Sequence, residues 1–196
     1  MKLISATANP HKYKEMQQIM SGKIEILPRP PEIPEITEDA PDLLGNALLK
    51  AQGIMEATAM PAIADDTGLE VEALNGDPGV FSARYAGPNA RSEDNIQKLL
   101  AELADVPMIR RGARFRTAIV VLWPDKTFAT AEGIVSGKIA LSPVGNLGFG
   151  YDSIFLPSEV PGKTFGEISN SEKNQISHRG RALKEIVKVL LSTPQN

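Results

Sequence analysis

Cysteine is absent from the 196 residues, histidine occurs only at positions 11 and 178, and tryptophan only once. Without cysteine there is no disulfide framework, no thiolate nucleophile and no cysteine-ligated zinc, and imidazole chemistry is confined to two side chains. No apolar run approaches the roughly 20 residues of a membrane-crossing helix, and the N-terminus enters a strand-like segment without a signal-peptide pattern. The expected setting is therefore soluble and cytoplasmic, with no membrane partner. Positive charge is not in excess either. A formal net charge of −3 disfavours a protein that grips a nucleic-acid backbone, so any anion site must be local. What is present is ordinary: 42% hydrophobic and 23% charged residues, a composition that folds around a core. The length stays below the roughly 250–300 residues at which single cores stop growing. Residues 1–196 read as one domain, or as two lobes around one sheet.

Along the chain, Lys2–Ala6 reads as a strand, and Asn9-Pro10 opens a helix to Met20, with Asn9 as cap and Pro10 in the first turn. Lys23–Leu27 reads as a second strand, and the prolines of Pro28–Pro34 impose an extended surface segment. Asp42–Ala59 has helical spacing despite Gly45 and Gly53, each of which weakens an isolated helix by about 1 kcal/mol. Ala62–Ala64 and Leu69–Leu74 read as strands on either side of Asp65-Asp66-Thr67-Gly68, and Asn75–Gly79 as a turn. Ser92 suits the cap of a helix to about Ala104. Ala113–Trp123 and Phe128–Val135 predict a hairpin across Pro124–Thr127, and about Lys173–Ser192 predicts one last amphipathic helix.

Four segments could carry chemistry. Thr7-Ala8-Asn9-Pro10-His11-Lys12 joins a strand to a helix N-terminus, where unpaired N–H groups and the cations His11 and Lys12 suit a phosphate. The same residues equally fit a plain Asn-capped helix. Asp65 and Asp66, with Glu35, Glu38, Asp39 and Asp42 upstream, form a carboxylate group that suits Mg²⁺ and the activation of water, or else a capped turn. In Gly145–Asp152, glycines surround Phe149, whose ring could stack on a nucleobase; a Gly-rich turn before a strand is the alternative. In Ser171–Gly180, the donors Lys173, His178 and Arg179 suit keto oxygens or phosphates, or form the wet face of a helix. Arg110, Arg111, Arg114 and Arg116 read as a mostly solvated basic run.

Taken in order, Thr7-x-Asn9-x-x-Lys12, Asn46-Ala47-x-x-Lys50-Ala51, Ala64-Asp65-Asp66-Thr67-Gly68-Leu69, Pro78-Gly79-Val80-x-Ser82-Ala83-Arg84-Tyr85, Gly148-Phe149-Gly150-Tyr151-Asp152 and Ile176-Ser177-His178-Arg179 resemble the inosine triphosphate pyrophosphatase family over nearly the whole chain. The resemblance implies an α/β fold, with a long mixed twisted sheet flanked by helices and two lobes around a central active-site cleft. It implies Mg²⁺-dependent hydrolysis of purine nucleoside triphosphates such as those of inosine, deoxyinosine and xanthosine, by a homodimer with no nucleic-acid partner.

Residue by residue, the resemblance places Thr7 to Lys12, that is Thr7, Ala8, Asn9, Pro10, His11 and Lys12, at the triphosphate. Mg²⁺ falls to Glu38, Asp65 and Asp66, and Asp66 also accepts the proton of the attacking water. Thr67 touches substrate, Phe149 stacks on the base with Gly150, Tyr151 and Asp152 in the same wall, and Lys173, His178 and Arg179 read the base edge. The chain departs from the family where Ala8 replaces a frequent Gly, Leu147 and Ser153 a frequent Gly and Pro, and Gly45 a common Glu. Two other readings fit the same segments: a pyrophosphatase for modified pyrimidine nucleotides, and a nucleotide-binding module without catalysis.

Overall fold

The computed structural model describes residues 1–192. Its strands are β1 (Lys2–Ser5), β2 (Glu25–Leu27), β3 (Ala62–Val71), β4 (Pro78–Gly79), β5 (Gly112–Leu122), β6 (Phe128–Ile139) and β7 (Phe155–Pro157). Its helices are α1 (Pro10–Met20), α2 (Leu43–Thr58), α3 (Ser92–Glu102), α4 (Asn170–Ile176) and α5 (His178–Ser192). The strands form one mixed α/β sheet in the order β2-β1-β3-β5-β6-β7, with β4 paired to β3. β1 lies parallel to β2 and β3, whereas β3–β4 and β6–β7 are antiparallel.

The chain forms two compact units. The first holds Met1–Asp66, Thr117–Gly133 and the described residues from Arg179 to Ser192. Its strands β1, β3 and β5 are buried on both faces, and their alternation sorts side chains between two cores. Leu3, Ile63, Ile119 and Val121 pack against Met16 and Met20 of α1 and Leu183, Ile186 and Leu190 of α5. Their strand neighbours Ile4, Ala62, Ala64, Val120 and Leu122 pack on the other side against Ala47, Ala51 and Ile54 of α2. The second unit, Thr67–Arg116 and Ile134–His178, has its own core of Leu69, Leu99, Val135, Ile139 and three rings. Phe115 and Phe155 lie 4.7 Å apart between centroids, and Phe155 and Phe165 5.2 Å.

Local chemistry explains the element ends. The Asn9 side chain accepts from the backbone N–H groups of His11 and Lys12, so α1 starts where its cap predicts. The Asp42 side chain likewise accepts from the Gly45 N–H at the start of α2. The glycines of α2 have a packing reason. A Cβ at Gly45 would lie 2.7 Å from the Ala40 Cβ, and one at Gly53 2.7 Å from the Ile36 Cδ1. The extended segment before α2 therefore lies in a notch that only glycine leaves open.

Three expectations need correction. β3 runs unbroken from Ala62 to Val71, so Asp65 and Asp66 sit in mid-strand rather than in a turn between two strands. The pairing of Leu69 with Gly79 carries the strand through. At the start of α3 the cap position belongs to Arg91, whose N–H donates to the Asp94 carboxylate at 2.9 Å, and Ser92 is already helical. The single last helix is two, because Ser177 is extended at φ −67°, ψ 158°. Ile176 accordingly packs with the second unit's core and Leu183 with the first's.

The arginine run is mostly solvated as expected, with Arg110 and Arg114 exposed and Arg116 half-buried, and Arg111 is the exception. Arg111 is buried and donates to the carbonyls of Leu103, Val106 and Ala140, while Arg114 and Arg116 both reach Glu70. Among the described residues no helix is long and apolar enough to cross a membrane.

Candidate active site

Two neighbouring carboxylates in mid-strand point to opposite faces of a sheet, and this separates what adjacency in sequence suggests is one cluster. Asp65 faces α1 and α5. Its Oδ2 lies 3.1 Å from the Lys12 Nζ and accepts from the Arg179 Nε at 3.1 Å. The Arg179 Nη1 donates in turn to Glu15 at 2.6 Å. Asp66 faces α2, where Asn46 Nδ2 donates to Oδ2 at 3.2 Å and Lys50 Nζ to Oδ1 at 3.0 Å. The Lys50 Nζ also lies 3.1 Å from Glu38. Like charges one residue apart are thus held by different cations on different faces, which removes the repulsion that the sequence implies.

The electrostatics follow from burial. Burial alone would raise the Asp65 carboxyl, but Lys12, then Arg179 and Lys50, outweigh it and hold the group well below the ordinary carboxylate range. Burial lowers the Lys12 ammonium despite Asp65 beside it. Glu38 is raised, first by burial, with Lys50 opposing and Asp66 adding to the rise. Lys50 is raised because Asp66, Asp65 and Glu38 together overcome its burial.

The Thr7–Lys12 segment takes the geometry of a capped helix. Asn9 N–H donates to Thr7 Oγ1 at 3.2 Å, and Asn9 Oδ1 accepts from His11 N–H at 2.9 Å. Ala8, Pro10 and His11 are exposed, and Thr7 and Lys12 are half-buried. A capped helix and an anion site are compatible here, since the Lys12 ammonium stands beside the exposed loop.

Among the described residues no group of three or more His, Asp or Glu side chains is arranged to hold a metal ion. Glu38 and Asp66 nevertheless converge on one cation, the Lys50 ammonium, at 3.1 and 3.0 Å. Two carboxylates suit Mg²⁺, which takes one or two from protein and completes its shell with water and phosphate oxygens. Asp65 does not fit that set. Its carboxylate turns to the other face of the strand.

The second unit holds the aromatic group. Asp152 is buried and accepts from the Phe149 N–H at 2.8 Å and from the Lys173 Nζ at 2.6 Å. The same ammonium stands 4.4 Å from the centroid of the Phe149 ring, within cation–π range. Phe149 also borders a cavity of about 580 Å³, shared with Ser92, Ile96 and Gln97 of α3 and of the size that small ligands occupy. Gly148 makes the turn at φ +76°, and a Cβ there would meet the Asp152 Oδ2 at 2.1 Å. Gly148→Ala is therefore expected to cost about 2 kcal/mol or more in thermal unfolding, the left-handed penalty plus the displaced carboxylate.

The wet-face reading of the last basic group fails: Lys173, His178 and Arg179 are 2%, 3% and 1% exposed. His178 stacks on Phe115 at 4.5 Å with a 20° interplanar angle. Lys173 and His178 belong to the second unit with Phe149, Gly150, Tyr151 and Asp152, and Thr67 opens that unit. Arg179 belongs to the first unit, where it meets Asp65 and Glu15. Sequence reasoning missed Glu15, Asn46 and Lys50 as site residues. Asn46 and Lys50 were visible as one helical face, four apart; Glu15, three residues beyond Lys12, carries no signal until Arg179 is seen beside it.

The family model described as the Ham1 family matches residues 3–189. A dITP/XTP pyrophosphatase of Porphyromonas gingivalis is 46% identical over 193 residues, covering 97% of each chain. One of Lactiplantibacillus plantarum is 45% identical over 188 residues, covering 94% of this chain and 92% of its own. The solved structure of a HAM1 protein from Coxiella burnetii superposes with a TM-score of 0.87 at 38% identity, covering 98% of this chain and 100% of that one. A match along almost the full length means that the chain belongs to the Ham1 family.

Proposed function

We propose that the protein hydrolyses non-standard purine nucleoside triphosphates, those of inosine, deoxyinosine and xanthosine, to the monophosphate and pyrophosphate, and so cleanses the nucleotide pool. The observation that carries this reading is the placement of Asp66: a buried carboxylate fixed by Asn46 and Lys50, with Glu38 converging on the same cation. The relatives named dITP/XTP pyrophosphatase support the substrate class.

Glu38 and Asp66 are the residues that would hold Mg²⁺, and Thr7 to Lys12 would hold the triphosphate. Bound there, the ion would supply charge neutralisation of the phosphate oxygens. Asp66 accepts a proton from water as its oxygen attacks the α-phosphorus, the α–β anhydride bond breaks, and pyrophosphate departs with the bonding pair. Lys12 presents its ammonium to the charge that develops on the phosphates. Lys50 fixes the orientation of Asp66, and Asp65 with Arg179 fixes Lys12 from the other side.

The base stacks on Phe149, and Lys173 and His178 act as donors beside it. Donors aimed at the 6-position accept a keto oxygen and would confront the amino group of adenine, leaving buried donors unpaired. The family resemblance further supports a cytoplasmic homodimer that has no nucleic-acid partner; light scattering tests the dimer.

Pyrophosphate release with Mg²⁺ from inosine, xanthosine, guanosine and thymidine triphosphates tests the reading. Release from the first two, well above the others, is expected. Preference for the pyrimidine would move the chain to the modified-pyrimidine reading, and no release from any of them would leave a binding module.

A further inference from the structure

The run Pro78–Tyr85 carries part of the family resemblance, yet none of its residues has a place in the site described above. Its centre is Ser82, buried in the second unit. The Ser82 hydroxyl accepts from the Leu69 N–H at 2.8 Å and donates to the Gly79 carbonyl at 2.6 Å. Its backbone carbonyl accepts from the Tyr151 phenol at 2.9 Å, across 69 residues of sequence. Leu69 lies three residues beyond Asp66 on β3, and Tyr151 lies two beyond Phe149. One residue therefore ties the catalytic strand's continuation to the loop that carries the stacking ring.

We infer that Ser82 is a positioning residue for base recognition, and that Tyr151, expected to line the base wall, acts as its strut. The inference rests on the proposed reading of Phe149 as the base platform. The geometry distinguishes a strut from a wall contact. Tyr151 is 6% exposed, its ring packs into the core with Ile154 and Phe155, and its hydroxyl is already donated to Ser82. Burial raises this phenol, with Tyr85 and Glu102 adding to the rise, so it remains a donor at any physiological pH. On the other side of the loop, Asp152 accepts from the Phe149 N–H and from Lys173. The ring is thus held from both sides: by Asp152 below, and through Tyr151 by a serine that is itself fixed by two hydrogen bonds to β3 and β4.

Loosening the strut should weaken stacking equally in the bound substrate and in the transition state, which raises KM and leaves kcat in place. Tyr151→Phe removes only the hydroxyl. It is expected to raise KM for inosine triphosphate roughly fivefold to tenfold, the size of one lost buried hydrogen bond, with kcat within about twofold. Ser82→Ala is expected to do the same, and Ser82→Thr, which keeps the hydroxyl, to restore most of it. Hydrogen exchange gives a readout that needs no substrate: the amides of residues 149–152 should exchange at least about tenfold faster in Tyr151→Phe than in the unaltered protein, with β1 and α1 unchanged.

Unchanged exchange and KM in Tyr151→Phe would overturn the inference, as would a fall in kcat at constant KM, which would put Ser82 on the reaction through β3. Faster exchange in a protein whose unaltered form releases no pyrophosphate would leave the strut standing and overturn the proposed function instead. If Ser82→Ala fails to fold, the phenol variant and the threonine variant decide alone.

Discussion

Asp66→Asn is expected to lower pyrophosphate release from inosine triphosphate about a thousandfold, while the dissociation constant for the nucleotide stays within about tenfold. The rate follows from losing a general base, a contribution of roughly 10²–10⁴. The binding follows from shape, because the amide fills the same space and the cations Lys12 and Lys50 remain. Some structural cost comes with it. Asn46 Nδ2 and Lys50 Nζ both donate to Asp66, and an amide at position 66 must turn its NH₂ toward one of them. Asn46 cannot relieve the conflict by flipping, because its Oδ1 accepts from the Ala40 N–H at 3.0 Å. A loss of about 1–3 kcal/mol in urea unfolding is the corresponding expectation. Single-turnover kinetics with a parallel binding titration separates the two effects. Turnover near the unaltered level would remove Asp66 from the chemistry.

The second large effect concerns stability. Arg179→Met is expected to cost about 3–5 kcal/mol in urea or thermal unfolding, far more than a side chain on a wet helix face could. Arg179 is fully buried between Asp65 and Glu15, and Lys12 completes a set of two cations and two carboxylates. Methionine fills the volume but leaves two carboxylates facing one ammonium in a dry environment.

The variant should also unfold at higher pH in acid. A depressed carboxyl contributes stability that is complete above its unfolded value, about 3.9, and is lost as pH falls through its folded value. Arg179 is one of the cations that hold Asp65 low. Without it the folded value moves up toward the unfolded one, so the carboxyl contributes less stability above about pH 3.9, and a smaller reserve remains when acid protonates the other carboxylates. A loss below about 1 kcal/mol with an unmoved acid transition would show that the four charges do not act as a set.

What could be read from sequence was what local rules decide. The Asn9 cap, the β5–β6 hairpin and α2 all depend on residues within a turn of one another. The break at Ser177 was hidden because the apolar spacing continues across it, although Ile176 and Leu183 serve different cores. The separation of Asp65 from Asp66 was hidden for another reason. Whether two adjacent acids share a site depends on whether the backbone between them is a turn or a strand, and that depended on Gly79 pairing with Leu69. The burial of Lys173 and Arg179, for which a wet helix face stood as the alternative, is not legible because their partners, Asp152 and Asp65, lie 21 and 114 positions away. Burial of a charge is set by such distant partners, and no periodicity records it.

The notch in α2 has a consequence for how this sequence can change. The space for a side chain at position 45 is filled by the Ala40 Cβ, 2.7 Å from where a Cβ of residue 45 would stand. Any side chain at position 45 therefore requires either the loss of the methyl group at position 40 or a strained shift of the segment before α2. The segment pinned between Ile36 and Ala40 carries Glu38, so that shift would disturb the carboxylate that meets Lys50. A position that touches no substrate thus constrains, through one methyl group, which acids the site can recruit.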